Sequence, residues 1–491
     1  MDDIEVGHRW APITDVTLAD RAAASAELPA LAQLWKDIRG ELNPTQVHDF
    51  NESIKREWAI ETGIIEGLYT LDRGTTQLLI ERGINASLIA SDASDQPPEL
   101  VAGMIQDHAE AVDWLFDAVT SERPLSTSFV KQLHQLITRK QQFATGFDQF
   151  GTRIDIPLRH GVFKIRPNNP RRPDGKVHQY CPPEQVDSEM DRLIEMHHDH
   201  NEEDLSPDVS AAWLHHRFVQ IHPFQDGNGR VARAIASLVL IRAGWLPLVV
   251  TRDDRDDYIE ALEQADGGDL ARFVRQTAKF QRQRLIGAAS IASRVGDGET
   301  DLKRTLREIR ATPGPRPTRQ HVELVQEIAA RLVAFCRSRF EYVAEELSTD
   351  SGGADTTRAW CDFGEDSDRE RRRWNRSQVM NTARVLEYTA NPGAHHDWVR
   401  LRMETRTGNA EMLASFHVIG SKFRGLLGVS LCFYRRQQDE HGESQVIELE
   451  PASDEVFQFN YIEPPLSAEA RFRRWLEHSL VVGLRHWHDS E

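Results

Sequence analysis

The chain has 491 residues and a net charge of −18, long enough for two or three domains with separate cores and too acidic to make nucleic acid an expected partner. No run approaches the roughly eighteen apolar residues of a membrane span, and the acidic start MDDIEVGHRW lacks the apolar segment of a secretory signal. Cys181, Cys336, Cys361 and Cys432 stand far apart with no CxxC pair, which suits a reducing compartment and gives no structural zinc site, so a soluble, cytoplasmic protein is expected.

Residues 16 to about 120 read as helical, with apolar positions at helical spacing in ADRAAASAELPALAQLWKDIRGEL and LVAGMIQDHAEAVDWLFDAV and a breaker cluster, SDASDQPPEL, between them. Helices continue from 124 to 285 with one interruption, where GVFKIRPNN and KVHQY form short β-type runs around Asp174-Gly175, a strong hairpin signal. After residue 294 a helical stretch is expected over 300–348 and a flexible linker over 348–357. DWVRLRMETR, MLASFHVIG, LLGVSLCFYRR and SQVIELE then read as strands, and SAEARFRRWLEHSLVVGLRHW as a closing amphipathic helix. The C-terminal third is therefore expected to be an α+β domain.

The chemistry concentrates in IHPFQDGNGRVAR, residues 221–233. A helix starting at Ser206-Pro207 should stop near His222-Pro223, because the residue before proline resists helical geometry. The next helix should begin at Asn228 or Gly229 and run, apolar on nearly every side, to Gly244. Glycines let that turn approach a ligand closely, and the free N–H groups of the helix start favour an anion. Arg230 and Arg233 lie three residues apart on one face, and two guanidiniums on a buried helix need anionic partners, a demand that a polyphosphate meets. Asp226 beside such a cradle calls for a cation, and magnesium fits. His222 is placed to act as general base towards an attacking hydroxyl. Together these residues describe phosphoryl-type transfer.

His222 to Arg233 resembles the HPF-x-D/E-GNGR-x-x-R motif of the Fic domain family with every defining position filled, and the resemblance extends over roughly residues 125–280. LHQLI (133–137), the GVFK segment up to YCPPEQV, and DDYIEALEQADGGDLARFV resemble the family's early helix, flap and nucleotide-closing helix; Lys164 stands where arginine is commoner. The resemblance implies a mainly α protein: a helical Fic core (121–290) with a β-hairpin flap, an N-terminal helical region (1–120), and the α+β domain (300–491). It implies transfer of AMP from ATP to a Ser, Thr or Tyr hydroxyl of a target protein docking at the flap (161–180). His222 would be the base, Phe224 the anchor of the loop and Asp226 the magnesium ligand. Gly227, Asn228 and Gly229 would cradle the α- and β-phosphates, Arg230 would meet the β-phosphate and Arg233 the γ-phosphate. Tyr258 and Asp266 match adenine-side positions, with solvated helix-face residues as the alternative. TGIIEG (62–67) is similar to the family's inhibitory motif S/T-x-x-x-E-G/N, in which Glu66 would pair with Arg233 and displace the γ-phosphate. Removal of AMP by the same site and a nucleotide-sensing binding module are the alternative functions, and a homo-oligomer is compatible with all three. The histidine clusters at 197–200, 215–216 and 395–396 lack ligand spacing and are expected to be packed or exposed, and the RERRRWNR run at 369–376 to be a solvated helix face.

Overall fold

Two periodicities divide the chain, 3.6 residues through the first part and 2 in much of the last. The computed structural model describes residues 6–489 except 41, 91, 148–152, 173, 292–317, 349–357, 366–368, 405–408, 421–422 and 439–443. In chain order the elements are β1 (Val6–His8), α1 (Leu18–Ala22), α2 (Leu28–Gly40), α3 (Pro44–Ile65), α4 (Arg73–Arg82), α5 (Pro98–Thr120), α6 (Thr127–Ile137), β2 (Phe143–Phe147), β3 (Arg153–Pro157), β4 (Val177–His178), α7 (Val186–Glu202), α8 (Pro207–Ile221), α9 (Asn228–Arg242), α10 (Arg255–Asp266) and α11 (Leu270–Ile291). There follow α12 (Arg319–Ser348), β5 (Arg358–Glu365), α13 (Arg369–Val385), β6 (Ala390–Glu404), β7 (Asn409–Ile419), β8 (Leu426–Gln438), β9 (Ser444–Pro451), β10 (Phe457–Asn460) and α14 (Pro465–Asp489). No helix among the described residues is long and apolar enough to cross a membrane.

Two compact units result, Met1–Ser25 with Val47–Arg282, and Ala26–Gln46 with Gln283–Glu491. They do not follow boundaries at 120 and 290: the helices of 47–120 share a unit with the helices after them, and α2 belongs to the other.

In the first unit α9 forms the centre. Asn228 and every residue from Arg230 to Ile241 are buried, which the all-round apolar pattern requires. α8 packs beside it through Trp213, Leu214 and Phe218, all 0% exposed. His197, His200, His215 and His216 are buried with these helices.

Two strand expectations need correction. GVFKIRPNN is not one arm of a hairpin. Gly175 makes its turn, with φ 83°, but only an isolated bridge, Arg171 to Val177, forms across it. Pro167 and Pro170 have no N–H to donate to a ladder. The N–H of Lys164 goes instead to Pro223 O at 2.8 Å, and β4 pairs in parallel with β1. A hairpin does form earlier, β2 with β3, in antiparallel register from Phe143–Pro157 to Phe147–Arg153.

The second unit is an antiparallel sheet in the order β10-β8-β7-β6-β5, with β9 also paired to β8. Strict alternation places Val399, Leu401 and Met403, then Ala410, Met412, Ala414, Phe416 and Val418, then Leu427, Val429, Leu431 and Phe433 on one face. α12 covers them with Val325, Ile328, Leu332, Cys336 and Phe340, and α14 with Phe472, Leu476 and Leu480. On the opposite face Trp398, Leu413, Cys432 and Tyr434 pack against Trp374 of α13, so the 369–376 run includes a packed residue and is not wholly a solvated face. Of the helical stretch expected over 300–348, α12 accounts for residues from Arg319 on. Residues 300–317, and the linker expected at 348–357 apart from Ser348, lie outside the described residues.

Phe218→Ala, at the centre of the first unit, should cost about 3–5 kcal/mol. Hydrogen exchange of the α8 and α9 amides should accelerate roughly a hundredfold or more, while the sheet amides of the second unit keep their protection.

Candidate active site

The loop between α8 and α9 is closed by its own side chains. Asn228 accepts from Phe224 N at 2.9 Å and donates to Phe224 O at 2.8 Å, so its carboxamide is used in shaping the turn. Phe224 is 0% exposed, stacked on His134 at 3.8 Å and tilted against Phe163 at 5.2 Å. Asn168 adds a bond to Phe224 O at 2.7 Å and itself accepts from Lys164 Nζ at 2.8 Å. His134 accepts from Gly161 N at 2.8 Å through Nδ1, which leaves Nε2–H to donate to Asp226 O at 3.0 Å. Gly227 has φ 82°, and a Cβ there would stand 2.8 Å from Thr138 Cγ2. Glycine is required on both counts.

His222 follows the last residue of α8 in the left-handed region, φ 54° and ψ 57°. Its Nδ1 lies 3.2 Å from Val219 O, which fixes the proton on Nδ1 and leaves the Nε2 lone pair available. Tyr180 stacks on the ring at 3.8 Å and 11°. The residue keeps part of its surface exposed, but the imidazole sits in a crowded, poorly hydrated place. That burial, with the Lys164 ammonium nearby, pushes its pKa down to about 3. Lys164 is 4% exposed, and burial pulls its own pKa down to about 8.

Two arginines lie behind the loop, each 1% exposed, and they are compensated unequally. Arg230 donates to the neutral Gln141 Oε1 at 2.6 Å, has Asp226 no nearer than 3.7 Å, and leaves Nε without a hydrogen-bond partner among the described residues. Burial lowers its pKa. Arg233 is fully engaged: Nε donates to Thr62 Oγ1 at 2.7 Å, Nη2 to Thr62 O at 3.2 Å and to Glu66 Oε1 at 2.8 Å, and Nη1 to Tyr258 Oη at 3.4 Å. Burial opposes its charge, but Glu66 and Tyr258 more than offset this, and its pKa is raised. A Cβ on Gly229 would stand 2.3 Å from Glu66 Oε1, so the same carboxylate lies over the start of α9.

Asp226 accepts from Gln141 Nε2 at 2.7 Å and from Gly227 N at 2.6 Å, one bond on each oxygen. Its side chain is 35% exposed. Each oxygen therefore keeps a lone pair within reach of solvent, which fits a hard cation sharing one carboxylate with phosphate and water oxygens.

Neither Tyr258 nor Asp266 is a solvated helix-face residue. Tyr258 is 2% exposed, and its hydroxyl is taken up by His215 Nε2 at 2.9 Å and by Arg233, so it supports the arginine from beneath. Asp266 is bound to His216 Nε2 at 3.1 Å and lies 3.6 Å from Arg172 and 3.9 Å from His178. His8, His178 and Asp266 bring ligand-type atoms within 4.8 Å of one another. The two imidazoles are nearly parallel at 12° and Arg172 lies 2.9 Å from His178 Nδ1, an arrangement that disfavours a shared cation. Gln141, Thr62, Tyr180 and Asn168 were missed as site residues. Only Thr62 had a signal, as the first position of TGIIEG.

Residues 124–240 match the model of the Fic/DOC family. These residues form a Fic domain. The chain is 40% identical over 97 residues to protein adenylyltransferase Fic of Nematostella vectensis, covering 20% of this chain and 23% of that one. It is 36% identical over 114 residues to protein adenylyltransferase fic-1 of Caenorhabditis elegans, covering 23% and 22%. Among solved structures, a Fic domain containing signaling protein from Bacteroides thetaiotaomicron is 27% identical, with 53% of this chain and 95% of that one covered at a TM-score of 0.44. The chain thus spans less than a quarter of the length of the two curated relatives, and the shared part is the Fic domain.

Three buried, neutral histidines of the first unit contribute to its acid response. Burial pushes His108, His134 and His222 down to about 3 from an ordinary 6.5. Above 6.5 neither the folded nor the unfolded chain protonates them, and they contribute nothing to pH dependence. Between 6.5 and 3 the unfolded chain takes up protons that the fold refuses, so stability falls as the pH falls. By NMR, the His222 ring signals should stay flat from about pH 8 to about pH 5; titration near 6.5 would contradict the packing described.

Proposed function

We propose that this protein is a protein adenylyltransferase that moves AMP from ATP to a Ser, Thr or Tyr hydroxyl of a target protein, and that Glu66 holds it in check. The observation that carries the reading is a neutral imidazole with a free Nε2 beside a helix start backed by Arg230, a buried cation short of counter-charge. The printed names of the relatives that share the Fic domain support it.

His222 Nε2 takes the proton of the attacking hydroxyl, the oxygen bonds to the α-phosphorus, and pyrophosphate leaves with the bond electrons. The backbone of Gly227, Asn228 and Gly229 receives the α- and β-phosphates, and Arg230 the β-phosphate. Arg233 is the partner for the γ-phosphate once Glu66 has withdrawn. Asp226 would hold magnesium, which supplies charge neutralisation to the phosphates. Gln141, bonded to both Asp226 and Arg230, keeps these two apart. The target docks against residues 161–180, where Val162 and Ile165 are exposed.

A second reading is removal of AMP by the same site, favoured by the position of Glu66 against Gly229, where its carboxylate could orient water. The two readings predict opposite effects of losing Glu66.

Glu66→Gly should raise self-modification roughly tenfold or more, since one charge-assisted bond to Arg233 is released, and Arg233→Ala in that background should silence it. Intact mass of the proteins incubated with ATP is the measurement. Equal incorporation in wild type and Glu66→Gly would remove the inhibitory role, and loss of AMP removal from a modified protein in Glu66→Gly would favour the second reading.

His222→Ala in the Glu66→Gly background should reduce transfer by ~10² or more while ATP binding, measured by calorimetry, persists. Asp226→Ala should flatten the magnesium dependence of transfer. An unchanged magnesium titration would exclude Asp226 as the ligand.

A further inference from the structure

The carboxylate that meets Arg233 is carried at the end of α3, and a second ion pair fixes where that end lies. Glu61 is 5% exposed. Arg252 meets it with Nη2 to Oε1 at 2.7 Å, Nε to Oε1 at 3.2 Å and its backbone N to Oε2 at 2.8 Å. The same guanidinium donates to Leu71 O in the turn after α3 and to Thr76 Oγ1 of α4 at 2.8 Å. The helix that follows Arg252 adds Arg255 Nε to Ile65 O at 3.4 Å and Tyr258 beneath Arg233. One stretch, 252–258, thus grips α3 directly at Glu61 and Ile65 and reaches Glu66 through Arg233. On the far side of the turn, Tyr69 donates to Ile60 O at 3.1 Å and fills the space left by Gly63, where a Cβ would lie 2.3 Å from its hydroxyl.

Glu61 and Glu66 are five residues apart, about 140° around a helix axis, so the two carboxylates face different neighbours. A helix held at one charged contact can roll or slide about it, whereas one held on two faces has its rotation and its axial position set together. We propose that the Glu61–Arg252 pair is the latch that seats Glu66 on Arg233, and that Glu61 and Arg252 are positioning residues of the inhibited state; this rests on the inhibitory reading of Glu66. Neither residue contacts the 222–233 loop in the bonds described, so the latch acts through the placement of α3. Its opening releases Glu66 while leaving the cradle intact.

The test replaces both partners, Glu61→Gln with Arg252→Gln, so that no single charge is left buried. Self-modification with ATP is read by intact mass in wild type, the double variant, Glu66→Gly, and the triple variant. The double variant should exceed wild type roughly fivefold or more, the range of a typical coupling between sites. The triple variant should match Glu66→Gly in both kcat and the KM for ATP, because a latch has nothing to seat once Glu66 is gone. Hydrogen exchange of amides 59–66 should rise in the double variant while that of α9 is unchanged. A double variant as quiet as wild type beside an active Glu66→Gly overturns the latch and spares the inhibitory reading. A triple variant weaker than Glu66→Gly also overturns it, since the pair would then be supporting the active domain. A quiet Glu66→Gly protein overturns the inhibitory reading itself, and the latch with it.

Discussion

A guanidinium with no path to water has to find its counter-charge and its hydrogen-bond acceptors inside the protein. Arg233 is such a group, and three helices are placed around its needs. α9 carries it, α3 brings Thr62 and Glu66 to it, and α10 brings Tyr258. The demand is stoichiometric: remove one acceptor and another must take its place. A buried arginine satisfied within the protein, here by three side chains and the Thr62 carbonyl, is at rest, and any phosphate that reached it would have to displace a protein carboxylate first. If Arg233 serves the γ-phosphate as proposed, affinity for the nucleotide is lowered by the strength of a contact internal to the protein.

The neighbouring arginine is arranged in the opposite way. Arg230 donates to a neutral amide, has Asp226 at 3.7 Å, and leaves Nε without a partner among the described residues, so its charge is less closely compensated than that of Arg233. The turn that joins both arginines to His222 depends on neither, because Asn228, Phe224, His134, Asn168 and the Lys164 backbone hold it closed. The bonds that close the turn and the bond that Glu66 makes from the end of α3 to Arg233 of α9 are thus separate. Under the proposed reading, such a division would let a change at Glu66 alter output without reshaping the groups that would do the chemistry.

What the sequence made legible was local. One string of twelve residues names most of the groups gathered at the α8–α9 turn, since loop closure and helix start impose fixed spacing within it. α8 and α9 were readable from Pro207, Pro223 and Gly244 and from an apolar pattern that admits only burial. The sheet of the second unit was readable in its alternation, though β5 was not singled out, because an eight-residue strand ahead of a charged helix carries little contrast. The parts that were not legible depend on distant partners. Gln141 and Asp226 are 85 positions apart, and Arg252 and Glu61 are 191 apart; nothing in either neighbourhood announces the other. The flap was misread because an Asp-Gly turn was taken as proof of two flanking strands. The turn formed, but its proline-rich arm spent hydrogen bonds on the loop between α8 and α9. For Tyr258 and Asp266 the alternative of a solvated helix face fails because the buried His215 and His216 of α8 take up their polar atoms.

The missing side chain of Gly229 leaves a space that Glu66 occupies to within 2.3 Å of where a Cβ would be. The carboxylate is thus a plug as well as a counter-ion. Coulomb attraction depends on the carboxylate keeping its charge, but volume does not. An uncharged side chain of the same shape would still fill the notch until α3 itself moves. Under the inhibitory reading proposed for Glu66, control would be a matter of occupancy, with charge deciding how firmly the occupant stays and backbone displacement deciding whether it leaves.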